Sequence, residues 1–195
     1  MIIEFNSTAE DAGVQVSFDA EAWKKVTVLD PAGHKILQVD GKGSLKDLGG
    51  SELFLESDEP ALQDVPLDDL FAQFPEGEYR FIGTSPDGES LAGTAQFTHK
   101  IPDGPSIVSP ATLDPDNAVI RWAPVTTPAG IQIAGYEVVI EQDDFHVFDV
   151  KVPASITSVT VPPQFLEPGT QYGFEVLAIE NGGNQTITES SFTTE

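Results

Sequence analysis

One strand with a strict period of two, at residues 171–178, constrains the fold of this chain more than any other stretch. It follows the turn residues Pro168-Gly169, and its side chains fall into two rows. The row that we expect to be buried contains Tyr172, Phe174, Val176 and Ala178. The opposite row contains Gln171, Gly173, Glu175 and Leu177. Successive side chains of a strand point to opposite faces of a sheet, so this pattern predicts a β-strand with one buried face.

Tyr172 stands just inside this strand, after a Leu-Glu-Pro-Gly turn at residues 166–169. The arrangement resembles the tyrosine corner of β-sandwich domains, in which the hydroxyl bonds to the turn backbone and the ring enters the core. The resemblance implies a β-sandwich in which the Tyr172 hydroxyl bonds to the backbone near Glu167 or Leu166. It identifies an architecture, and an architecture alone does not fix a function.

The charge of the chain excludes several classes of partner. Its 195 residues include 32 acidic and 9 basic side chains, a formal net charge of −23. Such a charge repels phosphate backbones and anionic lipids, so we expect no nucleic-acid partner and no membrane binding. No apolar run approaches the roughly 20 residues of a membrane span, which argues against membrane insertion. Cysteine is absent, which excludes disulfides and thiolate metal sites.

Residues 1–100 consist of short apolar runs separated by turn residues, which is typical of an all-β sandwich. The seven candidate strands are residues 2–5, 14–18, 23–29, 35–39, 53–55, 78–82 and 91–97. Seven strands are the number found in an immunoglobulin-like sandwich.

One short helix is predicted near residues 66–74. Its apolar positions recur at i, i+3, i+4 and i+7 and share one face: Leu67, Leu70, Phe71 and Phe74. Pro66 suits the first turn, and Pro75 ends the helix. A helix of this length is marginal alone, so we expect its apolar face to be buried against the first sandwich.

Residues 26–33 and 77–81 resemble segments of bacterial immunoglobulin-like modules. Residues 74–79 also repeat, in a looser form, the turn that precedes Tyr172. The resemblance implies an immunoglobulin-like β-sandwich at residues 1–100 with the short helix near 66–74. Residues 99–105 contain two prolines and a glycine, typical of a stiff linker, so we place a second domain at residues 101–195.

Residues 102–195 resemble a fibronectin type III domain, because several motifs occur in the order of that family. These motifs are residues 118–122, 135–141, 157–161, 166–172 and 181–184. The resemblance implies core positions for Trp122, Tyr136 and Tyr172. The chain has no Arg-Gly-Asp sequence, so the integrin binding of some family members does not transfer. Such domains usually separate other domains, present a binding surface or bind a partner, and they seldom catalyse a reaction.

No catalytic or cofactor-binding residues are predicted. The histidines, which are the usual general bases, are His34, His99 and His146. None accompanies a serine in a recognisable nucleophile elbow, and no glycine pattern resembles a phosphate-binding loop. We therefore expect that the chain is not an enzyme.

The tightest group of potential metal ligands is Asp143-Asp144-Phe145-His146. We expect this segment to form a turn between two strands, with both aspartates in water. An EF-hand is excluded, because Asp114-x-Asp116 lacks both the glycine and the distal glutamate of that loop.

A calcium ion at the domain junction is a second hypothesis. With seven alternating strands, loops 7–12 and 57–66 would lie at the end of the first domain beside the linker. These loops carry Glu10, Asp11, Asp58 and Glu59. Calcium takes about six to eight oxygen ligands, so these four residues are candidate ligands of an interdomain calcium ion. The alternative is that they are ordinary acidic loops in water.

Phe145 and Phe148 lie on opposite faces of a predicted strand near a sheet edge, so at least one is expected to be exposed. An exposed aromatic side chain at a sheet edge suits contact with a partner protein or self-association. Sugar rings stack on flat aromatic faces, but both tryptophans have expected core positions and no second aromatic platform is apparent.

We therefore expect two tandem β-sandwiches, the first immunoglobulin-like with one short helix and the second of the fibronectin type III kind. The leading hypothesis is a non-enzymatic structural, adhesive or spacer module of a bacterial exported protein, acting by protein–protein contact. Alternatives are a calcium-dependent or carbohydrate-recognition module and an accessory domain of an extracellular enzyme. Residues 1–6 lack the pattern of a signal peptide. The family resemblance nevertheless favours an extracellular or periplasmic location, with an export signal absent from this sequence.

Overall fold

The computed structural model describes residues 1–143 and 145–195, which form two compact units. The first unit comprises Met1–Ile3 and Ala12–His99, and the second comprises Glu4–Asp11 and Lys100–Glu195. Strands dominate both units, so the predicted all-β sandwich fold is confirmed. The domain limits 1–100 and 101–195 stay a prediction.

Seven strands lie in the first half of the chain, at the positions predicted from the sequence. They are β1 (Ile2–Asn6), β2 (Asp11–Trp23), β3 (Lys25–Leu29), β4 (Lys35–Asp40), β5 (Gly50–Glu56), β6 (Gly77–Thr84) and β7 (Ser90–Phe97). One sheet of the first unit has the order β4-β3-β6-β7, and in the other β2 pairs antiparallel with β5. The two helices are α1 (Ser44–Leu48) and α2 (Leu67–Gln73).

The first unit contains a buried tyrosine whose hydroxyl bonds to the preceding turn, as predicted for Tyr172 in the second unit. Tyr79 is buried, and its hydroxyl donates a hydrogen bond to the backbone carbonyl of Pro75 at 3.0 Å. Burial, with a smaller contribution from the Asp30 carboxylate, raises the pKa of Tyr79 to about 12. The phenol therefore stays neutral and holds the turn before β6 to the core.

Helix α2 confirms the predicted helix, but its apolar face is only partly buried. Leu70 is the one residue of α2 that is fully buried, while Leu67, Phe71 and Phe74 are half-buried. The Phe71 ring stacks on His99 with centroids 4.1 Å apart and 9° between the planes. The His99 Nε2–H group donates to the Phe74 carbonyl at 2.7 Å. A seven-residue helix thus lies on the surface of the unit, partly covered by this imidazole.

The second unit is built mainly from the later strands. They are β8 (Thr112–Leu113), β9 (Val119–Arg121), β10 (Ile133–Gln142), β11 (Phe145–Pro153), β12 (Ser158–Thr160), β13 (Gln171–Glu180) and β14 (Gln185–Thr194). One sheet has the order β11-β10-β13-β14, and β9 pairs with β12 in a second. Two 3-10 turns lie at Pro115–Asn117 and Pro163–Phe165.

The N-terminal segment Glu4–Asp11 is part of the second unit. Residues 4–6 of β1 run parallel to residues 185–187 of β14. The Ser7 hydroxyl donates to the Ile187 carbonyl at 2.7 Å, and the Glu189 amide donates to Thr8 Oγ1 at 2.9 Å. A side chain at Gly104 would collide with Ser7 Oγ and Thr188 Oγ1, so only glycine fits there.

The first residues after His99 are also fixed to the second unit. The Asn184 side-chain amide donates to the Lys100 carbonyl at 3.0 Å, and the Thr186 hydroxyl donates to the Pro102 carbonyl at 2.5 Å. Both donors are buried, so these bonds are shielded from water. This part of the predicted linker is therefore held by specific hydrogen bonds.

The predicted core residues of the second unit are confirmed. Trp122, Tyr136 and Tyr172 are all buried in one hydrophobic cluster. Tyr172 is 1% exposed, and its hydroxyl accepts a hydrogen bond from the Glu167 amide at 2.7 Å. The predicted tyrosine corner is therefore present.

Replacing Tyr172 with phenylalanine is expected to lower the free energy of unfolding by about 0.5–1.5 kcal/mol, the net contribution of one hydrogen bond. The Glu167 amide would lose its partner, while the ring would keep its packing. Urea denaturation of the purified chain measures the change, with the exposed Gln171→Ala as a control. An unchanged denaturation midpoint in Tyr172→Phe would count against a stabilising corner.

Candidate interaction surface

Strand β11 is an edge strand of the second unit, because it pairs with β10 alone among the described strands. The ladder is interrupted near its start. Ile140 pairs with Phe148 and Glu141 pairs with His146, which leaves Val147 as an extra residue. Such a β-bulge re-aims the side chains around it and is common at sheet edges.

Aromatic side chains accompany this edge. Phe145, the first residue of β11, is 74% exposed. Phe148 packs against the core on one side and meets Phe165 edge to face, with ring centroids 5.5 Å apart. Phe165 is itself 45% exposed. The prediction that at least one of Phe145 and Phe148 is exposed is therefore confirmed.

A shallow cavity of about 260 Å³ lies beside the Phe148–Phe165 pair. It is lined by His146, Val147, Phe148, Asp149 and Phe165. We call this region the β11 surface and define it as Phe145, His146, Phe148 and Phe165. A surface of this kind can bind an apolar side chain of another protein.

The charges beside the β11 surface are mainly acidic. His146 Nε2 lies 2.8 Å from Glu141 Oε1, and Lys151 Nζ lies 3.2 Å from Glu137 Oε2. Burial raises the pKa of the Glu137 carboxyl, and the Lys151 ammonium acts in the opposite direction. Asp149 stands exposed on β11 between these two pairs.

The potential metal ligands at residues 143–146 do not form a metal-binding cluster among the described residues. Asp143 lies in the turn after β10 with a positive φ of 50°. His146 is engaged with Glu141. Asp144 lies outside the described residues.

The four candidate calcium ligands fall in two different units. Glu10, with a φ of 56°, and Asp11 belong to the second unit, whereas Asp58 and Glu59 follow β5 in the first. Partial burial and the nearby Glu189 carboxylate raise the pKa of Asp11. The calcium hypothesis for these four residues stays a prediction.

The remaining histidines have structural surroundings. His34 Nδ1 lies 2.9 Å from Asp30 Oδ2 in an exposed turn, and the His34 amide donates to the same carboxylate. His99 packs on α2 as described above. Their contacts account for both side chains without a chemical role.

Two exposed leucines in the first unit were not predicted from the sequence. The glycine-rich loop at residues 41–50 contains α1, on which Leu45 and Leu48 are exposed.

Both tryptophans are buried, as expected, so neither offers a face on which a sugar could stack. None of the described helices has the length and apolar character that a membrane-spanning helix needs.

Comparison with known proteins gives one family and several structures. The family model described as "Fibronectin type III domain" matches residues 103–194. A two-domain fibronectin type III segment of chicken tenascin is 13% identical over 96% of this chain and 94% of its own, with a TM-score of 0.38. The FN1–FN3 domains of chicken CNTN1 are 14% identical over 100% of this chain and 62% of their own, with a TM-score of 0.41.

A shorter match is the Clostridium perfringens spore cortex lytic enzyme SleM, 14% identical over 48% of this chain and 28% of its own, with a TM-score of 0.35. The family match covers the part of the second unit that contains the tyrosine corner, the buried Trp122 and the β11 edge. Residues 103–194 of this chain are a fibronectin type III domain.

Proposed function

We propose that this chain is a structural, adhesive or spacer module of a bacterial exported protein and that it binds a partner protein through the β11 surface. Fibronectin type III domains are structural or protein-interaction modules and are typically not catalytic. The observation that supports the proposed surface most directly is the exposure of Phe145, at 74%, on an edge strand.

The composition of the β11 surface suits protein contact. Aromatic side chains are enriched among the residues that contribute most to binding, because they bury a large area with few rotatable bonds. Phe165 is held by its contact with Phe148 and by the 3-10 turn in which it lies. The aromatic face is therefore partly ordered before a partner binds, which lowers the entropy cost of association.

The charge of the surface indicates the chemistry of the partner. Asp149 and Glu141 flank the aromatic side chains, and the whole chain carries a formal charge of −23. We expect the partner to present an apolar side chain flanked by lysine or arginine. Charge complementarity of this kind mainly accelerates association and weakens with salt.

An extracellular or periplasmic location is part of the proposal. It is supported by the usual setting of fibronectin type III domains and by the resemblance of residues 26–33 to bacterial immunoglobulin-like modules. In native cells, protease added to intact or outer-membrane-permeabilised cells should degrade the protein while a cytosolic marker survives. Protection of both proteins would contradict this location.

Site-specific photo-crosslinking in native cells tests the proposed contact. We expect p-benzoylphenylalanine at position 145 to crosslink one defined protein, which mass spectrometry then identifies. The matched control position is Ile156, which is 40% exposed in the same unit but outside the β11 surface. The crosslink from position 145 should disappear when Phe165 is replaced with alanine.

Two results would overturn the proposed surface. The first is an equal crosslink from positions 145 and 156, because the contact would then be nonspecific. The second is the absence of a crosslink from position 145 in cells where the protein is folded and present.

A further inference from the structure

Strand β7 differs from the other edge strands of the described chain in lacking protection. Four of the longer strands pair with a single neighbour: β4, β5, β7 and β11. Natural proteins usually protect such edges with charged residues, prolines or bulges, because an open edge can pair with another chain. Three of these four edges follow that rule.

The protecting residues are easy to identify. Strand β4 carries Lys35 and Asp40, and β5 carries Glu52 and Glu56. Strand β11 has its bulge together with Asp149, Lys151 and Pro153.

Strand β7, with the sequence SLAGTAQF, has no charged residue and no proline, and it pairs with β6 without a register shift. Its Ala92, Gly93 and Thr94 are exposed.

An apolar groove of about 390 Å³ adjoins this open edge. One wall is formed by residues 91–95 of β7 and the other by residues 17–21 of β2. Phe18 and Phe81 stack beside it with ring centroids 5.7 Å apart and 7° between the planes. Gly93 pairs with Phe81 across the ladder, and a side chain there would meet nothing within 4 Å. The groove is therefore open because Gly93 and Ala95 of β7 lack large side chains.

We propose that β7 accepts an extended segment of a partner protein as an added strand of the β4-β3-β6-β7 sheet. The outward N–H and C=O groups of β7 would bind the backbone of this segment. Alternate small apolar side chains of the segment would enter the groove, where they meet Phe18 and Leu91. This contact lies in the first unit and is independent of the β11 surface.

The charges around the groove indicate a basic segment. Asp19 and Glu21 are exposed on the β2 wall, and the groove is lined by no lysine or arginine. Lysine or arginine between the apolar positions of the partner segment would face these carboxylates. A second copy of this chain is a poorer occupant, because each copy carries a net charge of −23 and the two would repel.

Selection from a displayed peptide library tests this proposal on the full chain. The library consists of random segments of eight residues, the length of β7, on the surface of yeast. We expect enrichment of segments that alternate small apolar residues with lysine or arginine. The best segment should increase the hydrogen-exchange protection of the amides at residues 91–96 by about tenfold or more.

Variants identify the edge that is used. Thr94→Lys places a like charge on the exposed edge and should weaken binding of the selected segment about tenfold or more. The matched control, Gln38→Lys, adds the same charge to the other edge of the same sheet and should leave binding unchanged. Replacing Asp19 and Glu21 with asparagine and glutamine should weaken binding and reduce its salt dependence.

Four outcomes would overturn the proposal. The first three are a library that yields no alternating basic segments, selected segments that leave the exchange of residues 91–96 unchanged, and equal weakening by Thr94→Lys and Gln38→Lys. The fourth is concentration-dependent dimerisation that Thr94→Lys abolishes, which would assign the edge to a second copy. If Thr94→Lys fails to fold, the exchange measurement on the unaltered chain decides.

Discussion

Replacing Phe192 with alanine is expected to lower the free energy of unfolding of the second unit by about 3–5 kcal/mol. Phe192 is 1% exposed and stacks on Tyr172 with ring centroids 5.3 Å apart. Its ring also lies 5.9 Å from that of Phe174. Removal of the ring leaves a cavity between strands whose backbone positions are fixed by hydrogen bonds. Domains of this size are stable by only about 5–15 kcal/mol, so the loss is a large part of the total.

Urea denaturation of the full chain, followed by circular dichroism, measures this loss. Phe165→Ala is the matched control, because Phe165 is a phenylalanine of the same unit that is 45% exposed. We expect Phe165→Ala to cost less than about 1 kcal/mol, as is usual for exposed positions, while it abolishes the crosslink from position 145. A loss below 1 kcal/mol for Phe192→Ala would contradict the central place of Phe192 in the core.

The strands and the tyrosine corner could be predicted because their signals are local. A period of two over residues 171–178 requires only that one face be buried, and Pro168-Gly169 marks where the strand begins. The same reasoning located all seven strands of the first half and helix α2. It overestimated the burial of Phe71, because how far a helix sinks into a sandwich depends on the residues that pack over it.

The association of Glu4–Asp11 with the second unit could not be predicted from local patterns. It depends on parallel pairing of residues 4–6 with residues 185–187, which are far away along the chain. Nothing in residues 4–6 indicates that they pair with residues 185–187 and not with another strand. Gly104 is a local sign of this pairing, but the need for glycine there becomes apparent only when Ser7 is placed beside it.

The β11 surface could be predicted in part. The sequence indicated an aromatic side chain exposed at a sheet edge, and Phe145 fulfils this. The bulge at Val147 could not be predicted, because an extra residue shifts the period of two without changing composition. The open edge of β7 could not be predicted either, since the order of strands in a sheet follows from long-range pairing.

The pH dependence of stability should depend strongly on Glu175, which lies on the face of β13 opposite the tyrosine row. It is half-buried and stands between Val139 of β10 and Glu189 of β14. Burial is the largest cause that raises the pKa of Glu175 from 4.5 to about 7. The carboxylates of Glu141, Glu189 and Glu4 raise it further, while His146 acts in the opposite direction.

The sign of the effect follows from proton binding. Between pH 4.5 and about 7 the folded state holds a proton on Glu175 that the unfolded chain has released, so stability falls as pH rises through this window. Above about pH 7 the full cost remains. The shift would correspond to about 3 kcal/mol for a group shielded from water, and partial exposure of Glu175 reduces the expected cost to about 1–2 kcal/mol.

Glu175→Gln should therefore stabilise the chain by about 1–2 kcal/mol at pH 8 and change little near pH 4, where the carboxyl group is neutral in both states. Urea denaturation across this range measures the difference. Glu167→Gln is the control, because Glu167 is an exposed glutamate of the same unit and should show no such pH-dependent gain. If Glu175→Gln and the unaltered chain lose stability in parallel between pH 4.5 and 8, the carboxylates around Glu175 are screened by water and impose no cost on the fold.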